Sequence, residues 1–209
     1  MLIKHKAILF DMDGTLIDSR HTIEQAWLHA GNAFGVDIKK EDIEEHIHGR
    51  SGGYTLDYFF GHLDNSSKAM AKKMVDAFEE TANTPLISGA IEFLDQLKEN
   101  NIKMALVTGS WQARIDHIFT LHNLKPYFSA IVHRYDVTEG KPSPEGFIKG
   151  ASLLDTNPRD CLVFEDSISG FLAAEACGAE CVAVGWNGVA RTPNVIETIV
   201  DYHSTTFEF

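Results

Sequence analysis

The chain has 209 residues, 44% of them hydrophobic and 23% charged, enough for one sizeable core plus a smaller module. Its formal net charge of −12 repels a phosphate-rich polymer, which excludes nucleic acid as a partner but not a small phosphate ester held where cations or a metal reverse the local field. Residues 1–6 lead into no signal-peptide apolar region and no apolar stretch nears the roughly 20 residues of a membrane span, so the expectation is a soluble, cytoplasmic protein without a membrane partner.

In chain order, Ala7–Phe10 is the first predicted strand, a continuous apolar run ending at Asp11. Residues 20–34, 40–47, 54–62 and 66–82 read as consecutive helices, separated by turn signals at Gly35, Gly49 to Gly53 and Asp64-Asn65. Residues 90–97 then carry apolar positions at 90, 93, 94 and 97, a helical period. Further apolar runs at 104–107, 161–164 and 181–184 alternate with helical patterns at 144–154 and 168–176. Continuous rather than alternating hydrophobicity suits strands buried on both faces of a parallel sheet. The expected fold is therefore α/β, a Rossmann-like doubly wound parallel sheet with an inserted all-α unit. The boundaries place the core at residues 1–17 and 85–209 and the insert at 18–84. Cys161, Cys177 and Cys181 are odd in number, lack Cys-x-x-Cys spacing, and read as reduced, mostly buried thiols.

In an open parallel sheet, ligands bind beyond the carboxyl ends of the strands. Asp11 and Asp13 follow the first strand, Thr108, Gly109 and Ser110 the second, and Glu165 and Asp166 a later one, while Lys141 lies in the Lys141-Pro142 loop. The carboxylates suit a hard cation such as Mg²⁺, which takes few carboxylates and completes its shell with water and phosphate oxygens. Thr108 and Lys141 supply donors for phosphate, and an aspartate can accept a phosphoryl group covalently. Each element has a plainer reading: Asp-x-Asp-Gly as a turn, Thr108-Gly109-Ser110 as a helix cap, Glu165-Asp166 as dipole complementation at a helix start. An EF-hand is set aside because the rest of its ligand series is missing.

Taken together, Asp11-Met12-Asp13-Gly14-Thr15-Leu16, Thr108-Gly109-Ser110, Lys141-Pro142 and Glu165-Asp166 resemble the four motifs of the haloacid dehalogenase-like hydrolases, and the helical insert resembles the cap of the β-phosphoglucomutase-like branch. The resemblance implies that Asp11 is the nucleophile and Asp13 the general acid and base. It implies that Asp11, Asp166 and the Asp13 main-chain carbonyl hold Mg²⁺ with Glu165 behind them, and that Thr108, Gly109 and Lys141 bind the phosphoryl group. The implied activity is a Mg²⁺-dependent phosphatase of small phosphate esters, working as a monomer.

A dehalogenase lacks the second aspartate, and Asp13 is present. In the mutase branch a Val usually follows Asp-x-Asp-Gly and a His stands on the first cap helix, where this chain has Thr15 and Ile23; both departures favour hydrolysis, with mutase activity as the alternative and a non-catalytic phospho-ligand module as a reading of another class. The segments around Trp27 and Arg50 resemble sugar-phosphate, glycerol-phosphate and deoxyglucose-phosphate phosphatases. Gly49, Arg50 and Ser51 are thus the expected specificity loop, Arg50 supplying its planar fork. His46 and His48 lack a third ligand and are not read as a metal pair. Trp27, Tyr54, Tyr58, Phe59 and Phe60 are assigned to the helical core rather than to a pocket. Arg114 is read equally as a crevice residue or a surface ion pair. Short hinges near residues 17–20 and 81–85 would let the insert act as a lid.

Overall fold

The strands are β1 (Ala7–Phe10) and β4 (Cys161–Glu165), buried throughout; β2 (Lys103–Val107) and β5 (Glu180–Val184), buried after an exposed first residue; and the less buried β3 (Ala130–Val132) and β6 (Val195–Ile199). The computed structural model describes residues 1–48, 50–186 and 192–209. The strands pair in parallel in the order β3-β2-β1-β4-β5-β6. The chain winds outward from β1 through β2 to β3, then returns to the other side of β1 at β4. That reversal puts a crevice at the carboxyl ends of β1, β2 and β4.

Alternation along β1 divides its side chains between two cores. Ile8 and Phe10 join Leu106 and Phe164 on one face, and Ala7 and Leu9 join Val107 and Val163 on the other. The first face is covered by α5 (Ala90–Glu99) and α6 (Gln112–His122), the second by α7 (Glu145–Leu153) and α8 (Ile168–Cys177). Between β1 and α5 lie α1 (Arg20–Phe34), α2 (Lys40–His46), α3 (Gly52–Phe60) and α4 (Asn65–Glu79). The described chain forms two compact units, one of Met1–Asp18 with Pro85–Phe209 and the other of Ser19–Thr84. Among the described residues no helix is long and apolar enough to cross a membrane.

Sequence patterning misses β3 and β6 for different reasons. β3 has only three residues, and β6 is an edge strand whose Ile196, Glu197 and Thr198 are exposed, so neither offers a long apolar run. The helical boundaries also shift where caps act. Ser51 accepts a hydrogen bond from the Tyr54 amide (3.3 Å) and starts α3 at Gly52, and Asp64 accepts from the amides of Ser66 (2.8 Å) and Ser67 (3.1 Å) and starts α4 at Asn65.

In the helical unit, Ala26, Trp27 and Ala30 of α1 share a buried cluster with Ala71 and Val75 of α4, closed by Phe59 and Phe60. Tyr54 and Tyr58 depart from their expected core role: they are 40% and 50% exposed. His46 stacks on Tyr58 at 3.6 Å between ring centroids and hydrogen-bonds the Tyr54 hydroxyl (2.9 Å), while His48 bonds Glu24 (2.8 Å). All three cysteines are free thiols, and burial raises the pKa of each.

Phe93 meets Phe207 at 4.0 Å, Phe164 at 5.1 Å, Tyr202 at 5.2 Å and Phe10 at 6.1 Å, tying α5, the sheet and the C-terminal segment into one aromatic cluster. Phe93→Ala should therefore lower the stability to urea by about 3–5 kcal/mol. Leu121→Ala, at an exposed position, should change it by no more than about 0.5 kcal/mol in the same unfolding experiment.

Candidate active site

The first strand delivers Asp11 at its carboxyl end. Met12 is fully buried in the core, while Asp11 meets Lys141 and Asp13 meets Ser110 and Arg114. The backbone then curls back: the Leu16 (2.9 Å) and Ile17 (3.1 Å) amides donate to the Met12 carbonyl, and the Gly14 amide donates to Ile17 (2.8 Å). Gly14 has φ +76°, and a Cβ there would lie 2.0 Å from Asp166 Oδ2. Only glycine lets the Asp166 carboxylate come this close to the loop backbone.

Lys141 joins three strand ends. Its ammonium donates to Asp11 Oδ1 (2.5 Å) from the β1 end, to Glu165 Oε1 (2.7 Å) from the β4 end, and to the Val107 carbonyl (3.0 Å) at the β2 end. The Lys141-Pro142 peptide is cis. Burial works against the charged amine, but Asp11 and Glu165 outweigh it and raise its pKa. Burial likewise pushes Asp11 up to about 7; Lys141 opposes the rise, and Glu165 and Asp13 add to it. Asp166 is raised well above the usual carboxylate range by burial, then by Glu165 and Asp11.

Both oxygens of Glu165 are engaged. Oε1 is taken by Lys141, and Oε2 accepts from the Asp166 amide (2.8 Å), the Ser167 amide (2.8 Å) and the Ser167 hydroxyl (3.0 Å). It therefore braces Lys141 and the start of α8, where Ser167 caps the helix through the Gly170 amide (3.1 Å). Asp13 is held by Arg114 in a forked pair, Nη2 to Oδ1 at 2.6 Å and Nη1 to Oδ2 at 2.8 Å, with the Ser110 hydroxyl donating to Oδ2 at 3.0 Å. Thr108 is buried, and its hydroxyl accepts from the Ser110 amide (3.1 Å), tightening the turn that carries Gly109. Arg134 props that turn, donating from Nε to the Gly109 carbonyl (2.9 Å) and from its amide to the Ser110 carbonyl (3.0 Å).

Two features suit an anion and a cation together. Among the described residues the amides of Met12, Asp13 and Gly109 have no protein acceptor, and all three lie on the loops leaving the adjacent strands β1 and β2. Asp11 and Asp166 are carboxylates whose pKa values are raised first by burial and then by neighbouring acids, the state expected where a divalent cation would complete the charge balance. Among the described residues no three acidic, His or Cys side chains form a closed ligand cluster. Two carboxylates, Asp11 and Asp166, suit a hard cation such as Mg²⁺ that keeps water and phosphate oxygens in its shell.

Not all the expected residues fall here. Arg50 and Ser51 belong to the helical unit, where Ser51 caps α3 and Arg50 donates to the Glu45 carbonyl (3.0 Å) with its guanidinium 5.1 Å from the Tyr54 ring centre. Gly49 lies outside the described residues. Sequence reasoning placed Ser110 at the crevice without a role, left Arg114 undecided and gave Arg134 no part. No local pattern marked the pair, since Ser110 lies before the extended N-cap Trp111 and only Arg114 is on α6.

Comparison with known proteins follows the same outline. Residues 8–184 match the family model described as haloacid dehalogenase-like hydrolase. Hexitol phosphatase A of Escherichia coli is 34% identical over 95% of this chain and 91% of its own length. Beta-phosphoglucomutase of Bacillus subtilis is 30% identical over 86% of this chain and 83% of its own length. The crystal structure of CbbY from Rhodobacter sphaeroides in complex with phosphate superposes with a TM-score of 0.82 over 97% of both chains at 22% identity, a likeness of fold.

The raised Asp11 pKa sets a stability slope. The folded form retains a proton that the unfolded chain has lost above its ordinary value of 3.8, so the native state binds more protons between about pH 4 and pH 7 and is destabilised as pH rises across that window. With chelator present, urea unfolding should show stability falling from pH 5 to pH 8, and Asp11→Asn should make that slope shallower, the raised Asp166 supplying the remainder. An unchanged slope in the variant contradicts the assignment.

Proposed function

The chain belongs to the haloacid dehalogenase-like hydrolases, and on that premise we propose that it hydrolyses small phosphate monoesters, sugar and sugar-alcohol phosphates foremost, through a phosphoryl group carried on Asp11. The observation that carries this reading is the pairing of a buried carboxylate with Lys141 at 2.5 Å, next to loops whose Met12, Asp13 and Gly109 amides lack protein acceptors. Such a site presents an anionic nucleophile and fixed positive dipoles to the same ligand, which answers the repulsion between a carboxylate and a phosphate ester.

An Asp11 oxygen attacks phosphorus, the bond to the ester oxygen breaks, and Asp13 gives its proton to the departing alcohol. Asp13 then takes a proton from water as that water attacks phosphorus, releasing inorganic phosphate and restoring Asp11. Lys141 holds Asp11 in place and in its charged form, and Thr108 and the Gly109 amide bind the non-reacting phosphoryl oxygens. Asp11, Asp166 and the Asp13 carbonyl would hold Mg²⁺, which supplies neutralisation of phosphoryl charge when bound. Glu165 would support Lys141 through Oε1 and the start of α8 through Oε2.

Under this reading Ser19–Thr84 is a cap, and Arg50 contributes to choosing the alcohol. The preference for water over a second sugar rests on Ile23, an apolar residue packed against the helical core where a mutase presents His. The similarity to a hexitol phosphatase points the same way.

Phosphate release from a panel of hexose, hexitol and glycerol phosphates tests the proposal. Release should depend on Mg²⁺, stop with chelator, and fall by at least about 10³-fold in Asp11→Asn. Isomerisation of a hexose 1-phosphate without net release would replace it with a mutase, and no turnover of any ester would leave a binding module.

A further inference from the structure

Arg114 is a buried cation in an unfavourable place. It is 2% exposed and occupies the first turn of α6, where the helix dipole repels positive charge. The hydrophobic face of α6 is supplied by Ile115, Ile118 and Phe119, so Arg114 is not there to fill the core. Its planar fork closes on both oxygens of Asp13, at 2.6 and 2.8 Å, and its Nη1 also meets the Ser110 hydroxyl at 2.9 Å. The guanidinium carbon lies 5.9 Å from the Trp111 ring centre, so an indole forms part of the wall around the pair.

This geometry does more to Asp13 than neutralise it. A bidentate guanidinium fixes the plane of a carboxylate as well as its position. Oδ2 accepts from both Arg114 and Ser110, whereas Oδ1 accepts from Arg114 alone. Each carboxylate oxygen offers about two acceptor directions, so Oδ1 is the atom with one left over. We infer that Arg114, with Ser110, is the positioning residue of the acid–base step, orienting Asp13 so that Oδ1 carries the proton to the leaving alcohol and takes it from water. The inference rests on the phosphatase reading above and names a part of its machinery.

A group acting through the general acid matters in proportion to the need for a proton. An alkyl phosphate expels a strongly basic alkoxide and needs the acid; p-nitrophenyl phosphate expels a stabilised phenolate and needs it little. Arg114→Ala should therefore lower kcat by at least about 100-fold on the alkyl phosphate that the unmodified chain turns over fastest, and by less than about tenfold on p-nitrophenyl phosphate. KM should move little on either ester. Asp13→Asn should show the same selectivity, and Arg114→Ala added to Asp13→Asn should cost nothing further, since one residue acts through the other.

Arg114→Lys guards against a folding failure: it keeps the charge, loses the fork, and should show the same ester selectivity in smaller measure. Equal losses on the two esters, or losses that multiply in the double variant, would overturn the inference and leave Arg114 a structural ion pair. Absence of turnover by the unmodified chain overturns the phosphatase reading itself, and the role of Arg114 with it.

Discussion

A single ammonium group organises the crevice. Lys141 takes Asp11 from the end of β1, Glu165 from the end of β4 and the Val107 carbonyl from the end of β2, so three parallel strands are tied together at the edge where they would otherwise present carboxylates to one another. Buried like charges are costly, and removing the one cation between them would leave that cost uncompensated. Glu165 carries the connection further, from Lys141 through its second oxygen to the amides at the start of α8. Asp11 is thereby fixed to a strand, a loop and a helix terminus at once, the rigid support that the proposed phosphoryl transfer needs.

A second cation repeats the device one residue pair away. Arg114 serves Asp13 as Lys141 serves Asp11, and the choice of cation suits each task. A lysine is a point charge that can be shared among three acceptors, whereas an arginine fork holds one carboxylate in one plane. In the proposed reaction Asp11 has to be kept charged and Asp13 has to be kept aimed. Both demands are met within a chain of net charge −12 by spending its positive groups where the carboxylates are densest.

The parallel sheet was legible because burial on both faces leaves continuous apolar runs, and the strands carrying Asp11, Thr108 and Glu165 are of that kind. β6 was not, since an edge strand with exposed Glu197 and Thr198 carries no such run. Asp11, Asp13, Lys141 and Asp166 could be gathered from sequence because motif order and strand ends supply the third dimension. The Arg114 fork could not, because nothing local says that a helix-start arginine is buried or which carboxylate it faces. Thr15 shows the opposite hazard. Its side chain is fully buried and its carbonyl accepts from the Tyr202 hydroxyl at 3.0 Å, so its use in separating hydrolysis from mutase chemistry reflects family pattern rather than contact with a substrate.

The central claim is that the phosphoryl group passes through Asp11, and trapping that adduct tests it most directly. The enzyme would be quenched during turnover of its best sugar phosphate with Mg²⁺, reduced with borohydride, and digested for mass spectrometry. Borohydride converts an aspartyl phosphate to homoserine, so the account predicts homoserine at position 11 and at no other aspartate, and none in enzyme quenched without substrate. Steady phosphate release with Asp11 unmodified, or with the label on another residue, would contradict it.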